Sequence, residues 1–144
     1  MTTRSHGHEL SAVGMAEVGV IDASSMIDVL LGGVAVASLG SCDAWITPAH
    51  FDAEVLTALG RLHRQGQLTD DDVVEMIDDL EHVAITRIPT AALCSRAFEL
   101  RHNVSLRDGL YVAVAEAYRA ALLTSDQRLA AACRDHALCD LVAS

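Results

Sequence analysis

Residues 18–31 read VGVIDASSMIDVLL, and this stretch decides the fold. Val18 to Ile21 is a short run rich in β-branched side chains that ends at Asp22, the pattern of a buried strand. Ser24 and Ser25 then open a helix reaching about Leu31, where Gly32-Gly33 breaks it. A strand, an acid and a helix in that order begin a unit whose sheet is parallel and whose helices lie on its faces.

Working outward, the same alternation continues. Val34 to Leu39 is a short second helix, and Ala44 to Ile46 a strand stopped by Thr47-Pro48. Phe51 to Gln65 is helical, with Val55, Leu56, Leu59 and Leu62 on one face, and Gly66 ends it. Thr69 begins a further helix with Asp70, Asp71 and Asp72 in its first turn, where acids complement the helix dipole. Val83 to Ile88 is a strand ending at Pro89, and Thr90 starts a helix to about Arg101. Ser105 starts the next helix, with Leu106, Leu110, Ala113 and Ala117 on one face. Ala121 to Thr124 is a strand, Asp126 to His136 a helix, and Leu138 to Val142 a last strand. The expected class is α/β: an α/β/α sandwich whose central, mainly parallel sheet is flanked by helices.

Composition bounds the function. The 144 residues suit one domain, and 51% apolar with 21% charged is ordinary for a globular chain. Only 3% are aromatic, so the core is aliphatic. Residues 1–17 carry no hydrophobic period and are expected to form a flexible tail ahead of a domain over 18–144. Met15 is an alternative start, and His6 with His8 forms an HGH pair able to bind metal adventitiously. No apolar run follows a basic start and none reaches the ~18 residues that span a bilayer, so the expected setting is cytoplasmic, with no membrane partner. Cys42, Cys94, Cys133 and Cys139 lack zinc-ligand spacing and read as small apolar side chains in a reducing compartment. The formal charge is −10 and all ten basic residues are Arg. Without Lys there is no Schiff base, no P-loop lysine and no receiver-domain lysine. So acidic a chain does not coat nucleic acid nonspecifically, because Lys and Arg contacts to phosphate dominate such binding.

Four carboxylates stand where chemistry is expected. In open α/β sheets, sites lie beyond the carboxyl ends of the strands. Asp22 ends the first strand and Asp126 follows the strand ALLTSD. Glu54 and Asp108 lie near the starts of their helices. Crowded carboxylates repel, and a hard divalent cation such as Mg²⁺ or Mn²⁺ relieves that repulsion. Each acid also has a plainer role: Asp22 and Asp126 as helix caps, Asp108 in a Ser105-x-x-Asp108 capping box, Glu54 as a helix-start charge. Spacing alone leaves both roles open. Asp52 points about 200° away from Glu54 on a helix and falls outside the set. Asp28 reads as helix surface or a partner contact. Asp70 to Asp72, with Asp78, Asp79 and Glu81, read as a solvated helix face, and Trp45 as core.

The segments VIDASSMIDVLL (20–31), TPAHFDAEVLTALGRL (47–62), ELRHNVSLRDGLYVAVAEA (99–117) and LLTSDQRLAAA (122–132) resemble the ordered blocks of PIN-domain proteins, among them the VapC-type toxins of toxin–antitoxin pairs. The resemblance covers about residues 18–142. It implies that Asp22, Glu54, Asp108 and Asp126 bind Mg²⁺ or Mn²⁺, with Ser24 and Thr124 as supporting hydroxyls. It also implies hydrolysis of RNA phosphodiesters by a metal-activated water, in a toxin restrained by a small antitoxin and expected to form a homodimer. Gly109 departs from the family, where Ala is more usual after the Asp. Arg61, Arg64, Arg101 and Arg107 are candidate RNA contacts. Met26, Val29, Leu30, Leu56 and Leu59 would line an antitoxin groove, a dimer interface or the core. The alternative is a non-catalytic PIN-like RNA- or protein-binding module. A phosphotransfer protein is disfavoured: a receiver needs Lys, and an aspartyl phosphatase needs a second Asp where Ser24 stands.

Overall fold

The computed structural model describes residues 16–143. Its elements are β1 (Val18–Ile21), α1 (Ala23–Leu30), α2 (Ala35–Ser38), β2 (Ala44–Pro48), α3 (Phe51–Arg64), α4 (Asp70–His82), β3 (Ile85–Ile88), α5 (Cys94–Glu99), α6 (Leu106–Tyr118), β4 (Ala121–Leu123) and α7 (Gln127–Asp135). All three strand pairings are parallel, in the order β3-β2-β1-β4. The side-chain period of two sorts the strands into two cores. Val20, Ile46 and Leu122 face α6 and α7, packing with Tyr111, Val112, Leu129 and Cys133. Ile21, Trp45 and Leu123 face the other way, with Met26, Phe51, Val55, Leu59 and Leu80. The expected α/β/α sandwich is therefore present, with an aliphatic core and Trp45 inside it. Among the described residues no single helix is long and apolar enough to cross a membrane.

The order of strands matters for function. β1, β2 and β3 run outward to one side, and the chain then returns through α6 to place β4 on the other side of β1. The crevice beyond the carboxyl ends of β1 and β4 is thus the topological switch point, where α/β sheets bind ligands.

Several local expectations give way. Leu138 to Val142 does not form a strand: a single parallel bridge joins Leu122 to Leu141, with Leu122 N–H donating to Asp140 O and Val142 N–H to Leu122 O. β2 runs on through Pro48, which pairs with Ile88 at the sheet's end, where a missing N–H is cheap. The helix expected from Thr90 begins as a 3₁₀ turn at Ala91–Leu93 and becomes α-helical only over Cys94–Glu99. Asp28 is not open helix surface, being half-buried. Its carboxylate accepts from Ala35 N–H and fills the space where a Cβ on Gly33 would stand. Of the cysteines, Cys133 is buried with Cys139 Sγ 3.7 Å away, but Cys94 is exposed. The expected tail, with His6, His8 and Met15, lies outside the described residues apart from Ala16 and Glu17. Glu17 N–H donates to Asp43 Oδ2 at 2.8 Å.

Gly109 acquires a reason. A Cβ there would meet Ala97 O at 3.0 Å and Ala97 Cα at 3.2 Å, so the glycine lets α6 lie close on α5. An unhindered helical Gly→Ala change gains about 1 kcal/mol. Gly109→Ala is expected to forfeit that gain and cost up to about 1 kcal/mol instead, as α5 is pushed outward. Urea unfolding measures it, and a stabilised variant would show that α5 yields freely.

Candidate active site

Asp22 follows β1 directly and caps α1. It is only 4% exposed. Oδ1 accepts from Ser25 N–H at 2.9 Å and from Ser24 Oγ at 2.7 Å, while Oδ2 accepts from Thr124 Oγ1. Thr124 stands just past β4, so its bond crosses the switch point. Burial lifts the Asp22 carboxyl above its ordinary range, and the Thr124, Ser25 and Ser24 bonds offset part of the rise.

Asp126 caps α7. Its Oδ1 accepts from Arg128 N–H at 2.9 Å and from Leu129 N–H at 3.3 Å, and its own N–H donates to Thr124 Oγ1 at 3.0 Å. Thr124 therefore ties together the two acids that follow β1 and β4. The capping roles read from the sequence are real for both, yet they do not exhaust either group. A carboxylate has about four acceptor sites, and a cap uses one or two.

Asp108 lies in the first turn of α6. Ser105 caps that helix by accepting from Asp108 N–H at 3.1 Å, but the reciprocal half of the expected capping box is not formed. The contrast is Thr69 with Asp72, where both halves close. Asp108 is half-buried. Burial first, then the neighbouring charges of Asp126 and Glu54, hold its carboxyl above the ordinary range, against relief from Ser105 and Arg107.

Glu54 lies in the first turn of α3 and is the acid of the four that has basic partners. Oε1 accepts from Tyr111 Oη at 2.6 Å, and Arg107 Nε lies 2.8 Å from Oε2. His50 Nε2 is 3.1 Å from Oε1, in ion-pair range but off the hydrogen-bond line. Burial pushes the Glu54 carboxyl up, but His50, Tyr111 and Arg107 outweigh it and hold the group below its usual value. Tyr111 is 2% exposed, and burial followed by the Glu54 hydrogen bond raises its phenol strongly.

The four acids share one end of the sheet without closing into a tight cage. Among the described residues, the group whose ligand atoms all lie within 4.8 Å of one another is Asp78, Glu81 and His82, exposed on α4. In that group His82 already bonds the Asp78 carbonyl one turn back, so it reads as helix-surface pairing.

Two clefts open beside the acids. One, of about 510 Å³, has Asp108 and Asp126 in its wall with Arg101, His102, Arg107 and Arg128. The other, of about 350 Å³, joins Ser24, Glu54, Arg61 and Arg107. Arg61, Arg101 and Arg107 thus lie beside the site. Arg101 is held by Phe98, with its guanidinium 4.1 Å from the ring centroid. Arg64 ends α3 and lines neither cleft, about 15 Å along the helix from Glu54. Asp52 stays outside the acid set, paired instead with Arg87 at 2.8 Å. Of the apolar residues assigned to a groove, interface or core, Met26 and Leu59 are core, whereas Leu56 is 47% exposed.

Sequence reading gave no role to Tyr111, His50, His102 or Arg128. Tyr111 stands three residues after Asp108, on the same helix face, and that spacing is the signal that marks it. Nothing local marks His50, whose place depends on α3 meeting α6.

Comparison with known proteins agrees with this fold. The family model for the PIN domain matches residues 20–135. Ribonuclease VapC3 of Mycobacterium tuberculosis is 43% identical over 117 residues, covering 78% of this chain and 85% of that one. Ribonuclease VapC12 of the same organism is 32% identical over 127 residues, covering 86% and 98%. Among solved structures, PAE2754 from Pyrobaculum aerophilum superposes with a TM-score of 0.62 at 19% identity, covering 81% of this chain and 78% of that one. A toxin–antitoxin complex from Klebsiella pneumoniae gives 0.53 at 18% identity, covering 75% and 86%. These last two likenesses speak to the fold. With the family model spanning most of the domain and two VapC relatives above 30% identity, the chain belongs to the PIN-domain family, as a VapC-type member.

Proposed function

We propose that this protein is an endoribonuclease toxin whose activity requires Mg²⁺ or Mn²⁺ held by Asp22, Glu54, Asp108 and Asp126. The observation that carries the reading is the sharing of one cleft wall by Asp108 and Asp126 with Arg101, His102, Arg107 and Arg128. Acids able to hold a cation sit beside cations able to hold phosphate, in a chain otherwise too acidic to attract RNA. The relatives named ribonuclease support the same chemistry.

The donor set suits such an ion. It is all oxygen and anionic, which matches hard cations. Burial, with the neighbouring charges of Asp126 and Glu54, raises the Asp108 carboxyl above its usual range, and a cation offsets that cost. A divalent ion bound there supplies neutralisation of phosphate charge and a lowered pKa for the attacking water. The chain's own residues do the rest. Ser24 and Thr124 fix the Asp22 carboxylate by hydrogen bonds, and Tyr111 fixes Glu54. Arg101, Arg107 and Arg128 are the groups within the cleft that pair with phosphate oxygens. Arg61, in the adjoining cleft, extends that track, whereas Arg64 lies outside both clefts.

A small antitoxin is the proposed partner: the structural neighbour from Klebsiella pneumoniae is a toxin–antitoxin complex. Leu31, Val34, Val36 and Leu56 are exposed apolar side chains, as a surface for a protein partner or a second copy in a homodimer needs. The setting proposed is the cytoplasm, where RNA substrate is found.

Purified protein is expected to cleave cellular RNA with Mg²⁺ or Mn²⁺, to stop in EDTA and to resume when Mn²⁺ is returned. Cleavage that continues undiminished in EDTA would overturn the metal reading. RNA binding without cleavage at any cation concentration would favour the non-catalytic module instead.

A further inference from the structure

Arg107 occupies an unusual position. It is the second residue of α6, where the positive end of the helix dipole disfavours a cation. Its side chain is 68% exposed, yet it is not free: Nε lies 2.8 Å from Glu54 Oε2, on a carboxylate whose side chain is only 18% exposed. It also lines both clefts, the one containing Asp108 and Asp126 and the one containing Glu54. One guanidinium therefore stands between the acid it pairs with and the cleft where phosphate would lie.

We propose that Arg107 is an internal stand-in for the cation. In the ion-free protein it neutralises Glu54 and keeps that carboxylate from the other three. When a divalent ion takes over Glu54, the guanidinium is released into the cleft and pairs with an RNA phosphate. The inference rests on the metal reading of the four acids and adds a coupling between the two ligands: ion and RNA each favour the state the other needs. Two observations support it. The pair is exposed on the arginine side, so it breaks at little cost. Tyr111 keeps its own bond to Oε1, so Glu54 stays anchored when Arg107 leaves Oε2. Arg107 is on this view a positioning residue for Glu54 in one state and a phosphate ligand in the other.

The test uses the full chain and two probes, Mn²⁺ alone and a short mixed-sequence RNA with phosphorothioate linkages. Mn²⁺ affinity is read without RNA, from the paramagnetic resonance signal of the free ion. Arg107→Gln is expected to bind Mn²⁺ about two- to fivefold more tightly than the wild type, because a competing cation has gone. Arg107→Lys, which keeps the charge, falls between them. In the RNA arm, adding Mn²⁺ strengthens probe binding by wild type more than by Arg107→Gln. Unchanged or weaker Mn²⁺ binding by Arg107→Gln overturns the proposal, as does equal strengthening of probe binding in both proteins. A separate control distinguishes failure of the site itself. If Asp108→Asn binds Mn²⁺ as the wild type does, the four-acid reading fails and Arg107 with it.

Discussion

Asp108→Asn is expected to lower RNA cleavage by at least about a hundredfold while making the ion-free protein more stable. The two effects share a cause. A bound cation contributes several kcal/mol of charge stabilisation, and each ~1.4 kcal/mol is tenfold in rate, so losing one anionic ligand removes two or more decades. In the ion-free fold, however, the ionised Asp108 is a liability. Burial and the charges of Asp126 and Glu54 raise its pKa above 3.8. A carboxyl with a raised folded pKa weighs nothing against the fold below its unfolded value. It weighs increasingly as pH climbs through the folded value, and fully at neutral pH. Asn removes that burden at pH 7 and gains nothing near pH 3. Melting curves in EDTA across this range should therefore show the variant above wild type at neutral pH, with the gap closing in acid. Saturating Mn²⁺ should reverse the order, since wild type gains a ligand that the variant holds poorly. Full activity in the variant, or a stability gap insensitive to both pH and Mn²⁺, would refute the site. Glu54 carries the opposite sign: its pKa is lowered by its partners, so its ionised form supports the fold above the ordinary value. The four acids are not interchangeable, even though sequence alone presents them as one set.

What could be read in advance follows from the range over which each signal acts. The sheet and its helices were legible because burial on both sides writes short apolar runs into β1, β2, β3 and β4, and caps such as Ser105 and Thr69 mark helix starts locally. The parallel sheet then followed from alternation, while the strand order that puts the acid ends of β1 and β4 at the switch point came only with the structure. The misreadings have long-range causes. Leu138 to Val142 has a strand's composition, but only one bridge to Leu122 forms, because the edge beside β4 engages it over too few residues. Asp28 looked like surface because nothing in its own helix shows that Gly33 will turn back beneath it. Arg107 was identified as basic and near Asp108, yet its pairing with Glu54 joins residues 53 apart in sequence. The acids of the site were visible as residues; their unequal states, Glu54 paired and Asp108 strained, appear only once α3 and α6 are in contact.

Gly19→Val is expected to damage the fold severely, costing about 3 kcal/mol. β1 is an inner strand, with β2 on one side and β4 on the other, and Gly19 pairs with Trp45 and with Ala121. A Cβ at Gly19 would stand 2.5 Å from Trp45 Cζ3 and 2.8 Å from Cys42 Sγ. The indole thus occupies the space that a side chain on residue 19 would need. It cannot swing aside freely, because Nε1 donates to Leu39 O at 2.9 Å and the ring is 8% exposed. Valine has the best intrinsic strand propensity, and glycine is a poor strand residue. A propensity argument alone therefore predicts stabilisation, and the packing argument predicts the reverse. Overpacking of a well-filled core costs about 1–3 kcal/mol, more when the displaced group is anchored. Set against a domain stability of about 5–15 kcal/mol, that loss should shift the urea midpoint markedly. The decisive measurement is the double variant. Trp45→Leu alone removes packing and destabilises, but with Gly19→Val it vacates the contested space, so the pair should be less damaging than the sum by about 1 kcal/mol or more. Strict additivity would mean that the indole and residue 19 do not compete, and that the glycine serves some other need of β1.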